Sequence, residues 1–203
     1  MGIYLFNIDA LSEILSKSKK ADFGKEIIPE AIHDRNIYAY EFNGYWRDIG
    51  AISSFYAENL ALTRESPPLD LFDEAWPIYT RSRSLPPAKY NHSTIDHSMV
   101  SDGSVIDSAV IRGSIIGLRS KIAKNTVIED SIIMGNDYYE AGMGVGADCH
   151  IRNAILDKNA RIGRGAKIVN QKGVKDFDGP DYMIKDGIVV VYKNATIKTG
   201  TVI

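Results

Sequence analysis

From Ile95 onward, apolar residues return every five or six positions: Ile95, Met99-Val100, Val105-Ile106, Val110-Ile111, Ile115-Ile116, Ile122, Val127-Ile128 and Ile132-Ile133. After a glycine-rich break, "EAGMG", the series resumes at Val145, Ile151, Leu156, Ile162 and Ile168. Small or polar residues fill the gaps, as in "IRNA", "LDKNAR" and "IGRGAK". A helix would repeat every 3.6 residues and a half-buried strand every two, so neither accounts for the spacing. A hexapeptide repeat does. Each short strand sends one apolar side chain into a triangular parallel β-helix, and small residues turn the corners. Residues 95–169 then make about four coils at three hexapeptides per coil. An irregular all-β sandwich would space its turns about 8–12 residues apart, wider than observed. A stacked solenoid leaves open ends, so it needs capping and offers a surface for oligomerisation. The apolar segments "GIVVVYKNATI" and "GTVI" are placed to continue or cap the coils, and "NQKGVKDFDGPDYMIKDG", between the coils and these segments, reads as a loop on the solenoid wall.

The 94 residues before the repeat are of another kind. Residues 1–64 read as mixed α/β: "IYLF" and "IYAYEFN" as strands, and "NIDALSEILSK" as a helix with Ile8, Leu11, Ile14 and Leu15 on one face and Asn7 or Asp9 at its cap. A second helix follows Gly50, with Ile52, Phe55, Tyr56, Leu60 and Leu62 apolar, and ends near Thr63. Residues 65–94 concentrate proline ("ESPPLDLFDEAWP", "RSLPPAKY") without a clear period, which marks a connecting segment. The predicted organisation is therefore an α/β segment over 1–64, a proline-rich linker over 65–94 and the β-helix over 95–203.

Composition removes several function classes. A formal net charge of −2 in 203 residues argues against a general nucleic-acid or membrane-surface binder. The single cysteine, Cys149, excludes an intrachain disulfide framework and a cysteine-rich zinc site, and fits a reducing compartment. The longest apolar run, residues 188–192, is too short to span a bilayer. "MGIYLFNIDALSEIL" lacks a basic leader and is interrupted by Asp9 and Glu13, so it does not read as a signal peptide. It starts as though in mid-architecture, as a piece of a longer chain would.

The stretch "NGYWRDIG" packs two aromatics, a cation, a carboxylate and two glycines in front of a helix, which is a plausible composition for a ligand site. With "MGIYLF", "DFGKEIIP", "YTRSRSLPP", "IIGLRS", "IIMGNDYYE", "ILDKNARIG" and "GIVVVYKNATIKTGTVI", in this order, it resembles the C-terminal part of ADP-glucose pyrophosphorylase (glucose-1-phosphate adenylyltransferase). The resemblance is nearest to cyanobacterial and plant members and covers nearly the whole chain. The family's N-terminal nucleotide-binding part, with its glycine-rich loop, has no counterpart here. The join "DYYEAGMGVGAD" is shorter than the family's corresponding loop.

The resemblance implies a left-handed β-helix behind a nucleotidyltransferase domain, and formation of ADP-glucose and pyrophosphate from ATP and glucose 1-phosphate. Mg²⁺ is the implied cofactor and glycogen or starch synthesis the implied setting. An anionic sugar phosphate has to attack an anionic triphosphate, so a carboxylate-held cation is chemically required. Asp48 matches the family's metal-binding aspartate, with Trp46 beside the sugar; Tyr4, Asp22 and Phe23 match its glucose 1-phosphate pocket. Each has a structural alternative: Asp48 as a helix cap, and Trp46, Phe23 and Tyr4 as packing aromatics. Lys158, Lys193, Asp157, Arg119 and Arg83 match positions around an anionic effector, 3-phosphoglycerate or phosphate. A mobile lysine charge and an arginine fork suit such a ligand, while ordinary solvated surface charge is the alternative. The family further implies a homo-oligomer, a tetramer when full length, and a bacterial cytoplasm or a plant plastid.

Two other classes remain open at this point. Hexapeptide solenoids also build acyltransferases that use a histidine as general base, and of His33, His92, His97 and His150 the last sits beside a coil position. A related sugar-1-phosphate nucleotidyltransferase would share most of the pattern. Taken alone, the chain is expected to act as an assembly and regulatory module carrying only the rim of an active site, and to be inactive. Cys149 reads as a small inward residue rather than a nucleophile.

Overall fold

The computed structural model describes residues 2–203, in two units, Met1–Gly44 and Tyr45–Ile203. In the first, Asn7 starts helix α1 (Ile8–Lys17) by accepting hydrogen bonds from the backbone N–H of Asp9 and Ala10. This satisfies donors that the first turn otherwise leaves open. Glu13 takes Lys17 at 2.6 Å and Arg35 at 2.7 Å. A π-helical turn, Phe23–Ile27, runs into the short helix α2, Ile28–Ala31, with Pro29 in its first turn where a missing N–H costs nothing. Ile27 and Ala31 are the buried apolar residues of this unit.

Both strands expected in the first 44 residues are absent. Residues 3–6 and 37–43 find no ladder partner among the described residues, and alternation alone does not make a strand without a neighbour to take its N–H and C=O groups. Tyr4 and Phe6 instead place their rings against Phe23.

In the second unit the hexapeptide series forms parallel coils. The first coil is β1 (Lys89–Asn91), β2 (Thr94–Asp96) and β3 (Met99–Val100); the second is β4 (Val105–Asp107), β5 (Val110–Arg112) and β6 (Ile115–Ile116). The third is β7 (Lys121–Ile122), β8 (Val127–Glu129) and β9 (Ile132–Ile133); the fourth is β10 (Gly144–Val145), β11 (His150–Arg152) and β12 (Ala154–Leu156). The fifth contains β13 (Arg161–Ile162), β14 (Lys167–Ile168), a hairpin of β15 (Phe177–Asp178) and β16 (Tyr182–Lys185), and then β17 (Ile188–Val191). Strand β18 (Thr196–Ile197) opens a sixth. Corresponding strands stack into three sheets: β1-β4-β7-β10-β13-β18, β2-β5-β8-β11-β14 and β3-β6-β9-β12-β17-β16-β15.

Register turns the sequence period into three inward columns. Ile106, Ile122, Val145, Ile162 and Ile197 line the first sheet; Ile111, Ile128, Ile151 and Ile168 the second; Ile116, Ile133, Leu156 and Val191 the third. Each fully buried isoleucine contributes about 1.5–3 kcal/mol of burial. Serines lock one corner through a ladder: Ser98 Oγ accepts from Ser114 N, Ser114 Oγ from Ser131 N, and Ser131 Oγ from Ala154 N. Polar links between strands supply left-handed backbone, at Asn125 (φ 60°), Asp148 (φ 61°), Asn159 (φ 62°) and Asn194 (φ 62°). Asn and Asp tolerate that region better than other residues with a Cβ.

The doubled apolar pairs have their own cause. The outer members Ile115, Ile132, Ile155 and Val190 form a second column on the outside of the third sheet. Helix α3 (Ile52–Ala61) covers it with Ile52, Phe55, Tyr56 and Leu60. Tyr56 Oη donates to the carbonyl of Asp130, and burial pushes its phenol up to about 12.

The wall segment 170–187, expected as a loop, contains the β15–β16 hairpin. Strand β16 pairs antiparallel with β17, register Tyr182↔Val191 to Lys185↔Ile188. Strand β17 is the last parallel strand of its sheet, so β16 covers an otherwise open edge. Among the described residues no helix is long and apolar enough to cross a membrane.

Candidate active-site residues and a cationic corner

Tyr4, Asp22 and Phe23 come together in the first unit. The rings of Tyr4 and Phe23 are stacked with centroids 6.0 Å apart, and Phe6 closes the cluster at 5.7 Å from Phe23. Asp22 caps the π-helical turn: its Oδ1 accepts from Lys25 N at 2.8 Å, and Glu26 Oε2 accepts in return from Asp22 N at 3.3 Å. Asp22 is thus rigidly placed while its side chain stays exposed. A methyl group on Gly24 would lie 3.4 Å from the Tyr4 hydroxyl and 3.7 Å from Asp22 Oδ1, so glycine keeps the space between these two polar tips open. Stacked rings beside a fixed carboxylate can hold the apolar face and the hydroxyls of a sugar.

Trp46 and Asp48 belong to the second unit, on an exposed extended segment just before α3. Asp48 does not cap that helix. The N-cap position is Ala51, with no side-chain hydrogen bond, while Asp48 Oδ1 accepts from Gly50 N at 2.8 Å. Its other oxygen has no hydrogen-bond partner among the described residues. Glu58 of α3 holds the segment from behind, accepting from the Tyr45 hydroxyl and pairing with Arg47 Nε at 3.4 Å. That contact raises the Tyr45 pKa, chiefly through the Glu58 hydrogen bond. Trp46 and Asp48 alternate with Tyr45 and Arg47 along the segment.

No group of three or more His, Cys, Asp or Glu side chains able to hold a metal occurs among the described residues. A single exposed carboxylate with one uncommitted oxygen fits a cation that takes one or two protein ligands and completes its shell with phosphate oxygens and water, the usual habit of Mg²⁺.

Four of the five predicted effector residues lie along one corner column of the solenoid. Backbone bonds stack it coil upon coil: Gly103 N to Pro86 O, Arg119 N to Asp102 O, Asn136 N to Leu118 O, Asn159 N to Gly135 O, and Asn194 N to Lys158 O. Lys158 and Lys193 therefore occupy equivalent steps of adjacent coils, and Arg119 a lower step of the same column. Lys158 Nζ lies 2.8 Å from Asp137 Oδ1, and Lys193 Nζ lies 3.7 Å from Asp137 Oδ2. Asn159 Nδ2 donates to Asp137 Oδ2 at 3.2 Å and to Asn194 Oδ1 at 3.1 Å. The Lys158 ammonium, and next the Asn159 amide, hold the Asp137 carboxyl below its usual range. The Arg119 guanidinium lies 5.8 Å from the ring of Tyr139, whose other neighbour is Lys121 Nζ at 5.7 Å, and its Nη1 is buried without a hydrogen-bond partner. Asp157 faces its own turn, accepting from Lys158 N at 2.6 Å. Arg83 is exposed three residues before Pro86, at the foot of the column.

Sequence reasoning missed Asp137, Asn159 and Tyr139. A signal for Asn159 existed: "KNA" recurs at 158–160 and 193–195, so the two lysines and the two asparagines had to share a face once the coils were stacked.

The other titratable candidates sit elsewhere. His150 is on the outer face of the second sheet, its Nε2 3.4 Å from Glu129, which also pairs with Arg112 at 3.3 Å. Cys149 is 2 % exposed, donates to the Gly163 carbonyl at 3.2 Å, and has its thiol pKa raised by burial. It is an inward corner residue.

The fold and these groups define a nucleotidyltransferase end piece joined to a parallel β-helix. A model of the GLGC left-handed parallel beta-helix domain matches residues 83–202, and a nucleotidyl transferase model matches residues 1–65. The chain belongs to the GLGC left-handed β-helix family, and the two matches together fit the C-terminal part of an ADP-glucose pyrophosphorylase.

Proposed function

We propose that this chain is the C-terminal portion of a glucose-1-phosphate adenylyltransferase, which converts ATP and glucose 1-phosphate into ADP-glucose and pyrophosphate for glycogen or starch synthesis. The observation that carries the reading is the succession, in one chain, of a nucleotidyl transferase match over 1–65 and the GLGC β-helix over 83–202. The aromatic and carboxylate cluster of Tyr4, Phe23 and Asp22 receives the sugar, and Trp46 is a further sugar-contact residue. Asp48 holds Mg²⁺, which when bound neutralises phosphate charge during transfer. The corner column of Lys158, Lys193 and Arg119, with Asp157 beside the lysines and Arg83 at its foot, receives a phosphorylated effector such as 3-phosphoglycerate, or phosphate itself. The solenoid serves assembly into a homo-oligomer, and the enzyme works in a bacterial cytoplasm or a plastid.

The 203 residues alone do not turn over. Among the described residues, no segment offers the backbone nest and lysine that cradle a triphosphate. Incubating the purified chain with ATP, glucose 1-phosphate and Mg²⁺ tests this, and clear ADP-glucose formation would overturn it. Acetyl-CoA turnover in a parallel assay would move the assignment to an acyltransferase acting through His150.

A further inference from the structure

We infer that Asp137 is a built-in competitor: its carboxylate occupies the anion position between Lys158 and Lys193, and an incoming anion binds by displacing it. The inference rests on the proposed reading of this corner as an effector site. It goes further by naming the group that sets the site's affinity and selectivity.

The cradle around the Asp137 carboxylate is more than a pair of surface charges. One oxygen takes Lys158 Nζ at 2.8 Å; the other takes Asn159 Nδ2 at 3.2 Å with Lys193 Nζ at 3.7 Å. Asn159 is only 2 % exposed, and its own Oδ1 accepts from Asp137 N at 2.8 Å, so its amide is aimed before any anion arrives. Two cations and a fixed amide N–H are what a phosphate or carboxylate group requires. Here the chain fills that place itself.

The filling group is loosely seated. Lys193 is 54 % exposed on its side chain, and its 3.7 Å approach leaves room for a closer partner. Asp137 sits on the connection from β9 to β10 and its side chain is one-third exposed, so it can swing into solvent without disturbing an inward column. A monoanionic carboxylate held by two partly exposed lysines is worth little net. A dianionic phosphate group brings twice the charge and three acceptor oxygens, and therefore displaces it. A weak monoanion does not, so Asp137 makes the corner selective for highly charged ligands.

The test is inorganic phosphate binding by the 203-residue chain, measured by calorimetric titration. In Asp137→Asn, nearly isosteric and still able to accept from Lys158, phosphate affinity is expected to rise about three- to tenfold. That gain should vanish when Lys158→Ala is added. An Asp137→Asn affinity equal to or below wild type overturns the inference while leaving the anion site standing. No phosphate binding by either protein overturns the anion-site reading and the inference with it. A second measurement needs no variant. On titrating wild type with phosphate, the Asp137 side-chain carboxyl resonance should move toward its solvent-exposed value. A carboxyl that stays unmoved while the lysine ammonium signals shift means that phosphate binds without displacing it, and the inference fails.

Discussion

Asp48 keeps one carboxylate oxygen on Gly50 N and leaves the other without a protein partner among the described residues, so the residue is positioned without being consumed. In an adenylyltransferase carrying this chain, Asp48→Asn should lower turnover about a hundredfold or more, because it removes the charge proposed to hold the metal. Folding should be unaffected, since Asn still accepts from Gly50 N and the Glu58 contacts to Tyr45 and Arg47 are untouched. Near-normal turnover with normal Mg²⁺ dependence would reduce Asp48 to a turn residue. Tyr56 gives a second test at this scale. Its pKa is raised from 10.0 to about 12, first by burial and then by Asp130. The folded state therefore holds the phenol proton more tightly than the unfolded state. The associated stability is intact below pH 10 and declines as pH rises toward 12. Tyr56→Phe should flatten that alkaline decline and cost about 0.5–1.5 kcal/mol near neutrality for the lost hydrogen bond to Asp130 O. An identical alkaline profile in wild type and variant, followed by denaturant unfolding against pH, would contradict the assignment.

The elements show which sequence signals survive folding. The five- and six-residue steps were legible because each marks one inward side chain per strand, a constraint the columns impose directly. The doubled pairs, such as Ile115-Ile116 and Ile132-Ile133, were visible too, but their cause is α3, which lies more than fifty residues upstream. The strands expected at residues 3–6 and 37–43, which do not form, show the opposite case: their alternation is local, while a strand depends on a neighbour. The β15–β16 hairpin escaped because its sequence is polar and glycine-rich, and edge-covering against β17 is a tertiary fact. Asp137 was missed because the residue between two distant lysines is set by coil stacking, even though the repeated "KNA" marked the lysines themselves. The inward columns make a quantitative prediction. Ile151 is fully buried between Ile128 and Ile168, so Ile151→Ala should cost about 2–5 kcal/mol in urea unfolding. Because each coil contacts mainly its neighbours, hydrogen exchange should quicken first in the third to fifth coils. A loss under about 1 kcal/mol would mean that the columns are not the core described.

For the molecule as a whole, the last helix of the nucleotidyl transferase match packs on the β-helix. Helix α3 lies within the nucleotidyl transferase match, yet its Ile52, Phe55, Tyr56 and Leu60 pack on the third sheet of the β-helix. The same helix anchors Tyr45 and Arg47 beside Trp46 and Asp48 through Glu58. A single helix thus connects the segment carrying Asp48 with the solenoid that carries Lys158 and Lys193. In an intact enzyme, Lys158→Ala and Lys193→Ala should weaken activation by a phosphorylated carboxylate about ten- to a hundredfold in effector affinity, leaving unactivated turnover largely intact. Linkage requires that substrate tighten effector binding by the factor with which effector tightens substrate binding. Unchanged half-saturation in both variants would make them ordinary surface lysines. The most direct test of the central claim is the substrate requirement of an enzyme in which these 203 residues follow a complete nucleotide-binding half. Pyrophosphate release should require ATP and glucose 1-phosphate together with Mg²⁺, and yield ADP-glucose. Preferential use of another nucleotide or another sugar phosphate, or acyl transfer from acetyl-CoA without pyrophosphate release, would contradict it.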